Sequence, residues 1–250
     1  MRALRILLIL VVVLGGLFVA ADRLAVSFAQ GQVADKLQQS QGLDAKPDVS
    51  IKGFPFLTQI VGGSLDEVDI SLGSVNATAG GQSVVVTDVR AVLKDVAIDS
   101  SFSSATAAEA NGSARVSYAE LGKSAPKGAT VGYAGPDRAA KGQVKVSGPV
   151  TDVLEGADIP VPDPVKSLLS GKKITVYCTV SLADGNTAKF NAVDVDELPV
   201  PGLDDQVKGL INAYKLKIDG LPTTIKLDKV AATQDGLQFT GTGTDVSLTS

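Results

Sequence analysis

Ser170 and Lys173 stand three residues apart, a spacing at which lysine can activate a serine, but the partner motifs that give Ser-x-x-Lys its chemistry are missing. Asp194, Asp196, Glu197, Asp204 and Asp205 crowd one region without the spaced ligand loop of a calcium site, and read as a solvated acidic connection. "GTGTD" from Gly241 follows a strand pattern but opens no helix, so it cannot serve as a phosphate loop. Cys178 sits in "KKITVYCTVSL", where Ile174, Val176, Cys178, Val180 and Leu182 share one face at strand period. It reads as a small buried hydrophobe rather than a reactive thiol. The chain has no histidine, which excludes the serine triads, the commonest general base and most zinc sites. No catalytic residue, metal site or cofactor is expected.

The elements that would position any site belong to a globular protein. Of 250 residues 44% are hydrophobic, with 26 Gly and 11 Pro, enough for one sizeable core or two small ones. The net charge is −4 and basic residues are scattered among acidic ones, so no face suited to nucleic acid is visible.

The N-terminus, "MRALRILLILVVVLGGLFVAADR", carries Arg2 and Arg5 and then runs apolar from Ile6 to Ala21. This segment, residues 1–21, is either a signal-anchor or a signal peptide cleaved after Ala21, being short for a span and long for a signal core. In both cases the positive-inside rule places residues 22–250, read as a single domain, on the exported side of the cytoplasmic membrane, anchored or secreted.

From Arg23 to Gly42 the residues Val26, Ala29, Val33 and Leu37 form a helical stripe, stopped by Gly42. Strand patterns follow: "EVDISLGSV", "SVVVTDVRAVLKDVAI" with a slip at Asp95 that a bulge explains, "SARVSYAEL", "GQVKVSG", "KKITVYCTVSLA", "AKFNAVDVD", "TTIKLDKVAA" and "GLQFTGTGTDVSL". In the second of these Val85, Thr87, Val89, Ala91 and Leu93 are expected on one face. Asp184-Gly185 and Asp235-Gly236 mark hairpins. Two short helices interrupt the strands, one opened by Asp163-Pro164 and one amphipathic in "GLDDQVKGLINAYK". "IKGFPF" from Ile51 and "IDGLPT" from Ile218 echo each other faintly. The expected class is α+β, a strongly curved antiparallel sheet wrapped around amphipathic helices and preceded by a hydrophobic helix.

Two apolar clusters remain. In "VSIKGFPFLTQIVGG" the glycine and proline make a stiff bend that aims Phe54, Phe56, Leu57 and Ile60 either at the end of the core or at the mouth of an apolar cavity. In the late helix Val207, Leu210, Ile211 and Tyr214 share a face. These eight are the candidate lipid-binding residues. Acyl chains need buried area more than chemistry, at roughly 0.8 kcal/mol per methylene. Lys208, Lys215 and Lys226 are candidates for an anionic head group.

"PDVSIKGFPFLTQIVGG" and the terminal "GLPTTIKLDKVAATQDGLQFTGTGTDVSL" resemble the LmeA-like phospholipid-binding proteins of actinobacterial cell envelopes, from about residue 24 to the end. The resemblance implies a fold similar to the tubular lipid-binding (TULIP) superfamily. It also implies binding of phospholipid, phosphatidylinositol among others, in support of mannolipid assembly. On the motif itself sit Gly53, Phe54, Pro55, Phe56, Leu57 and Gln59.

The expectation is therefore a non-enzymatic protein that binds, and in one version transfers, phospholipid beside the cytoplasmic membrane in the cell envelope, supporting lipid or lipoglycan assembly. The alternative is a scaffolding envelope protein with a filled core and no lipid cargo.

Overall fold

A computed structural model describes residues 2–100, 104–156, 159–196, 200, 202–218 and 224–248. The chain opens with helix α1 (Arg2–Ser40), strand β1 (Asp48–Lys52) and helix α2 (Phe56–Gly62). Three long strands follow, β2 (Ser64–Ala79), β3 (Gln82–Ile98) and β4 (Ala105–Ser117). Next come α3 (Tyr118–Lys123), β5 (Thr130–Tyr133), α4 (Pro136–Ala139), β6 (Gln143–Pro149), α5 (Val150–Gly156) and α6 (Asp163–Leu169). The chain continues through β7 (Lys173–Ala183), β8 (Thr187–Val195), α7 (Leu203–Ala213), β9 (Lys215–Lys217), β10 (Ile225–Ala232) and β11 (Gly236–Ser247). The protein is α+β, with one sheet ordered β1-β2-β3-β4-β11-β10 and another β5-β6-β7-β8-β9. Every pairing in the second sheet is antiparallel.

The fold divides into two compact units: Met1–Gly73 with Arg90–Asn111 and Gly243–Ser250, and Ser74–Val89 with Gly112–Thr242. In the first, the second half of α1 lies against β1 and α2. Asp22, Val26 and Ala34 are its buried positions. The expected stripe is thus turned by one residue, with Ala34 inward and Val33 exposed. The helix expected from Arg23 is continuous with the apolar N-terminal run, because no glycine, proline or cap interrupts Ala21-Asp22-Arg23.

In the second unit one buried cluster joins Ile174, Val176, Cys178 and Val180 of β7 to Leu154, Leu169 and Val207 of the helices and to Leu237 and Phe239 of β11. The alternating face read from "KKITVYCTVSL" is therefore the inner face of β7. Asp184 and Gly185 both take left-handed φ values, 54° and 73°, at the turn joining β7 to β8.

The slip at Asp95 is present, with φ 50°. A second slip at Asp88, also φ 50°, went unread, so Val84 rather than Val85 is buried and the expected Val85–Leu93 face is not continuous. "SARVSYAEL" is not one strand to its end. Ser117 caps α3 by accepting the Glu120 N–H at 3.2 Å, the serine half of a Ser-x-x-Glu cap. Residues 219–223 of the second "IDGLPT" echo, and Glu197 of the acidic run, lie outside the described residues.

Candidate functional site: apolar recesses under α7

Helix α7 forms because apolar residues recur at helical spacing over "LDDQVKGLIN" and acidic residues open its first turn. Leu203 and Val207 are buried, while Leu210, Ile211 and Tyr214 are half-buried. Below them lie two recesses, with about 440 and 470 Å³ of empty space including the part open to solvent. One is lined by Val207, Leu210 and Ile211 of α7 with Leu154, Ile174 and Val176 among others, and Ser147 is the one polar residue in its lining. The other is lined by Leu210, Ile211 and Tyr214 with Leu121, Val131, Phe190 and Leu216 among others. Pro126, Val146, Leu210 and Ile211 line both, so the two spaces adjoin.

The C-terminal end of α7 is tied down. The Asn212 side-chain carbonyl accepts the Ala192 N–H at 2.8 Å. That amide stands beside a bulge: Tyr177 pairs with Asp194 and Cys178 with Ala192, leaving Val193 without a partner in the register. The Tyr214 hydroxyl donates to the Ser124 carbonyl at 2.7 Å, and its ring meets Phe190 at 5.5 Å between centroids. Burial pushes the Tyr214 hydroxyl up from its ordinary 10.0, against the opposing Ser124 hydrogen bond, so it acts as a neutral donor. At the other end Gly202 is the N-cap, with no side-chain cap bond.

The stripe Val207, Leu210, Ile211 and Tyr214 is thus brought to the two adjoining apolar recesses, Val207 lining the first, Tyr214 the second, and Leu210 and Ile211 both. The turn residues are elsewhere, since Phe54, Phe56, Leu57 and Ile60 belong to the first unit and none of them lines either recess. Phe56 is buried, Leu57 and Ile60 are half-buried, and Phe54 is exposed. The motif around them is a stapled bend. Gly53 has φ 90°, and the Gln59 side chain lies where a Cβ would stand. Gln59 Nε2 donates to the Lys52 carbonyl at 3.2 Å and its Oε1 accepts the Asp66 N–H at 2.8 Å, joining the end of β1 to the start of β2. The Phe54–Pro55 peptide is cis.

Among the candidate head-group lysines, Lys208 lies 3.8 Å from Asp204 and 3.7 Å from Asp205. The Lys226 stem packs beside Gly185. Lys215 faces Lys189 across β8 and β9. Asp194 pairs with Arg138 at 2.7 Å, and Asp196 accepts the Thr175 N–H at 3.0 Å. The carboxylates of the acidic run that are described therefore have protein partners, and no metal-ligating cluster occurs among the described residues. Ser170 and Lys173 are both exposed. Cys178 is fully buried and its thiol is pushed up to about 12 by desolvation.

The lining that sequence reasoning missed comes from short elements: Leu154 of α5, Leu121 of α3 and the Pro126–Ala129 loop. Ile174 and Val176 were legible as an inward strand face. That α7 crosses that end of β7 was not, since crossing depends on chain path rather than period.

A family model described as LmeA-like phospholipid-binding matches residues 20–242. No curated protein and no solved structure matches.

Proposed function

Because the chain belongs to the LmeA-like phospholipid-binding family, we propose that it holds a phospholipid acyl chain in the recess beneath α7, without catalysing a reaction. Two adjoining recesses, with walls that are apolar apart from Ser147 and the Tyr214 hydroxyl, support this reading. Each methylene that the recess removes from water contributes roughly 0.8 kcal/mol, before ordering costs are subtracted. Val207, Leu210, Ile211 and Tyr214 form the contact surface.

Part of the empty space is open solvent, so the enclosed portion is a narrow slot. Admission of a chain requires α7 to lift, against the ties of Asn212 and Tyr214 at its C-terminal end and the burial of Leu203 and Val207 in its N-terminal half. The ligand class fitting this reading is a phosphatidylinositol-like lipid. Residues 22–250 are the working domain, on the exported side of the cytoplasmic membrane, with residues 1–21 as anchor or signal. Handing lipid to envelope or lipoglycan assembly is the role that follows. α1 supports the membrane location, being long and apolar enough to cross a bilayer.

The test is uptake of fluorescent phosphatidylinositol from vesicles by wild type and Leu210→Arg. Uptake by wild type and loss in the variant supports the reading, and equal behaviour of both opposes it.

A further inference from the structure

The bend at Phe54 raises a question that the recess does not answer, because its most exposed side chains are apolar. Phe54 is 58% exposed and Val61, on α2, is 89% exposed. On α1, whose Arg23 meets the Phe54 ring, Leu24 is 74% and Phe28 70% exposed. Leu24 and Phe28 each stand two residues from buried Val26, about 200° around the helix and so opposite its docked face. They fall on one stripe with Leu17 and Ala21, at spacings of four, three and four. The apolar face of the N-terminal run therefore continues for two turns beyond Asp22.

Length decides what this continuation is for. Ile6 to Ala21 is about 24 Å of helix, short of the roughly 30 Å hydrocarbon core of a bilayer. Extending the face to Leu24 and Phe28 adds about 4 to 10 Å and makes up the difference. Asp22 and Arg23 then lie just inside the outer edge of the hydrocarbon, within one to two turns of the head groups, and the local geometry suits that level. The Asp22 carboxylate is buried and already engaged, by Arg23 at 2.6 Å on one oxygen and by the Leu57 N–H at 2.9 Å on the other. The Arg23 guanidinium lies 5.1 Å from the centre of the Phe54 ring. Asp22 thus fixes the start of α2 to α1 at the depth of Arg23 and presents no free negative charge there.

We infer that Phe54 and Val61, with Leu24 and Phe28, enter the boundary between head groups and acyl chains of the phospholipid bilayer that α1 crosses. The Gly-Phe-Pro-Phe bend is on this account a seat that sets the first unit on the lipid surface. Arg23 lies between the apolar contacts and reaches lipid phosphate from the same level. The inference rests on the reading of α1 as a membrane anchor.

The chain has no tryptophan, so a single substitution reports on one place. Full-length Phe54→Trp, Val61→Trp and Leu17→Trp are each placed in phosphatidylcholine–phosphatidylglycerol vesicles, with and without bromine on the acyl chains near the head group or deeper. Val61→Trp perturbs folding least, its side chain being almost free of protein. The expected result is that Leu17→Trp is quenched by deep bromines, while Phe54→Trp and Val61→Trp shift to the blue, lose about half their emission to shallow bromines and become shielded from iodide. If Leu17→Trp is quenched but the other two emit as in water, the seat is overturned and the anchor stands. An unquenched Leu17→Trp overturns the anchor and the seat with it. A blue shift that depends on protein concentration and ignores bromine assigns the surface to a second copy of the chain, and also overturns the seat. None of these readouts measures uptake into the recess.

Discussion

The side-chain carbonyl of Asn212 accepts the backbone N–H of Ala192 at 2.8 Å, so a residue at the end of α7 satisfies an amide left beside the Val193 bulge of β8. Together with the Tyr214 hydroxyl on the Ser124 carbonyl, this ties down one end of the helix. Removing either tie costs about 0.5–1.5 kcal/mol of stability. Asn212→Ala and Tyr214→Phe are therefore expected to exchange lipid faster than wild type while remaining folded, as stopped-flow transfer between vesicles would read. Unchanged exchange in both would show that α7 does not gate the recess.

Filling the recess should separate binding from folding. Ile211 is half-buried and lines both recesses, so Ile211→Trp occupies the space that an acyl chain would take. Phospholipid uptake is expected to fall about tenfold or more, equivalent to about 1.4 kcal/mol or more, with the circular dichroism spectrum unchanged. Uptake equal to wild type would place the lipid elsewhere.

The Glu120 carboxyl gives a pH signature. The Lys123 side chain first, then the Val85 N–H at 2.8 Å, hold it below its ordinary 4.5, against a smaller opposing desolvation. A depressed carboxyl binds its proton less readily folded than unfolded, so its contribution is present above about 4.5. It is lost as the pH falls through the lower, folded value. Melting curves of Glu120→Gln should accordingly converge on those of wild type in acid and lie below them near neutrality.

Cys178 should be silent. With its thiol pushed up to about 12 by burial, it stays protonated at neutral pH. A thiol reagent at pH 8 is expected to leave the native chain unlabelled and to label it after denaturation. Rapid labelling of the native chain would mean that β7 is not packed as described.

Gly148 tests the close approach of β6 to the loop before β5. A Cβ there would collide with the Gly128 carbonyl oxygen and press on Val153. Gly148→Ala is expected to cost about 1–3 kcal/mol in chemical denaturation, as overpacked sites do. The open position Gly209 on α7, where nothing lies within 4 Å, serves as the control and should lose nothing on substitution by alanine.

Much of this was readable from period alone. The inward face of β7, the stripe on α7, the slip at Asp95 and the stop at Gly42 each follow from spacing or from one residue's backbone preference. What escaped was tertiary in origin. Asp22 looked like the polar end of an apolar segment, yet it is buried because Leu57, 35 residues away, brings an amide to it. Phe54 and Phe56 read alike in sequence. One is 58% exposed and the other 4%, since the bend around Pro55 turns them in different directions. The short helices α3 and α5 carry too few residues for a helical period to show. For α3, Ser117 and Glu120 alone could have given it away.

On this reading the recesses under α7 take up the tails of a phospholipid. Native mass spectrometry of the full-length protein released from vesicles measures this most directly. The expected spectrum carries a phospholipid mass on wild type that is missing from Leu210→Arg. A bare wild-type chain that acquires no lipid from vesicles, or one carrying the same lipid after Leu210→Arg, would contradict it.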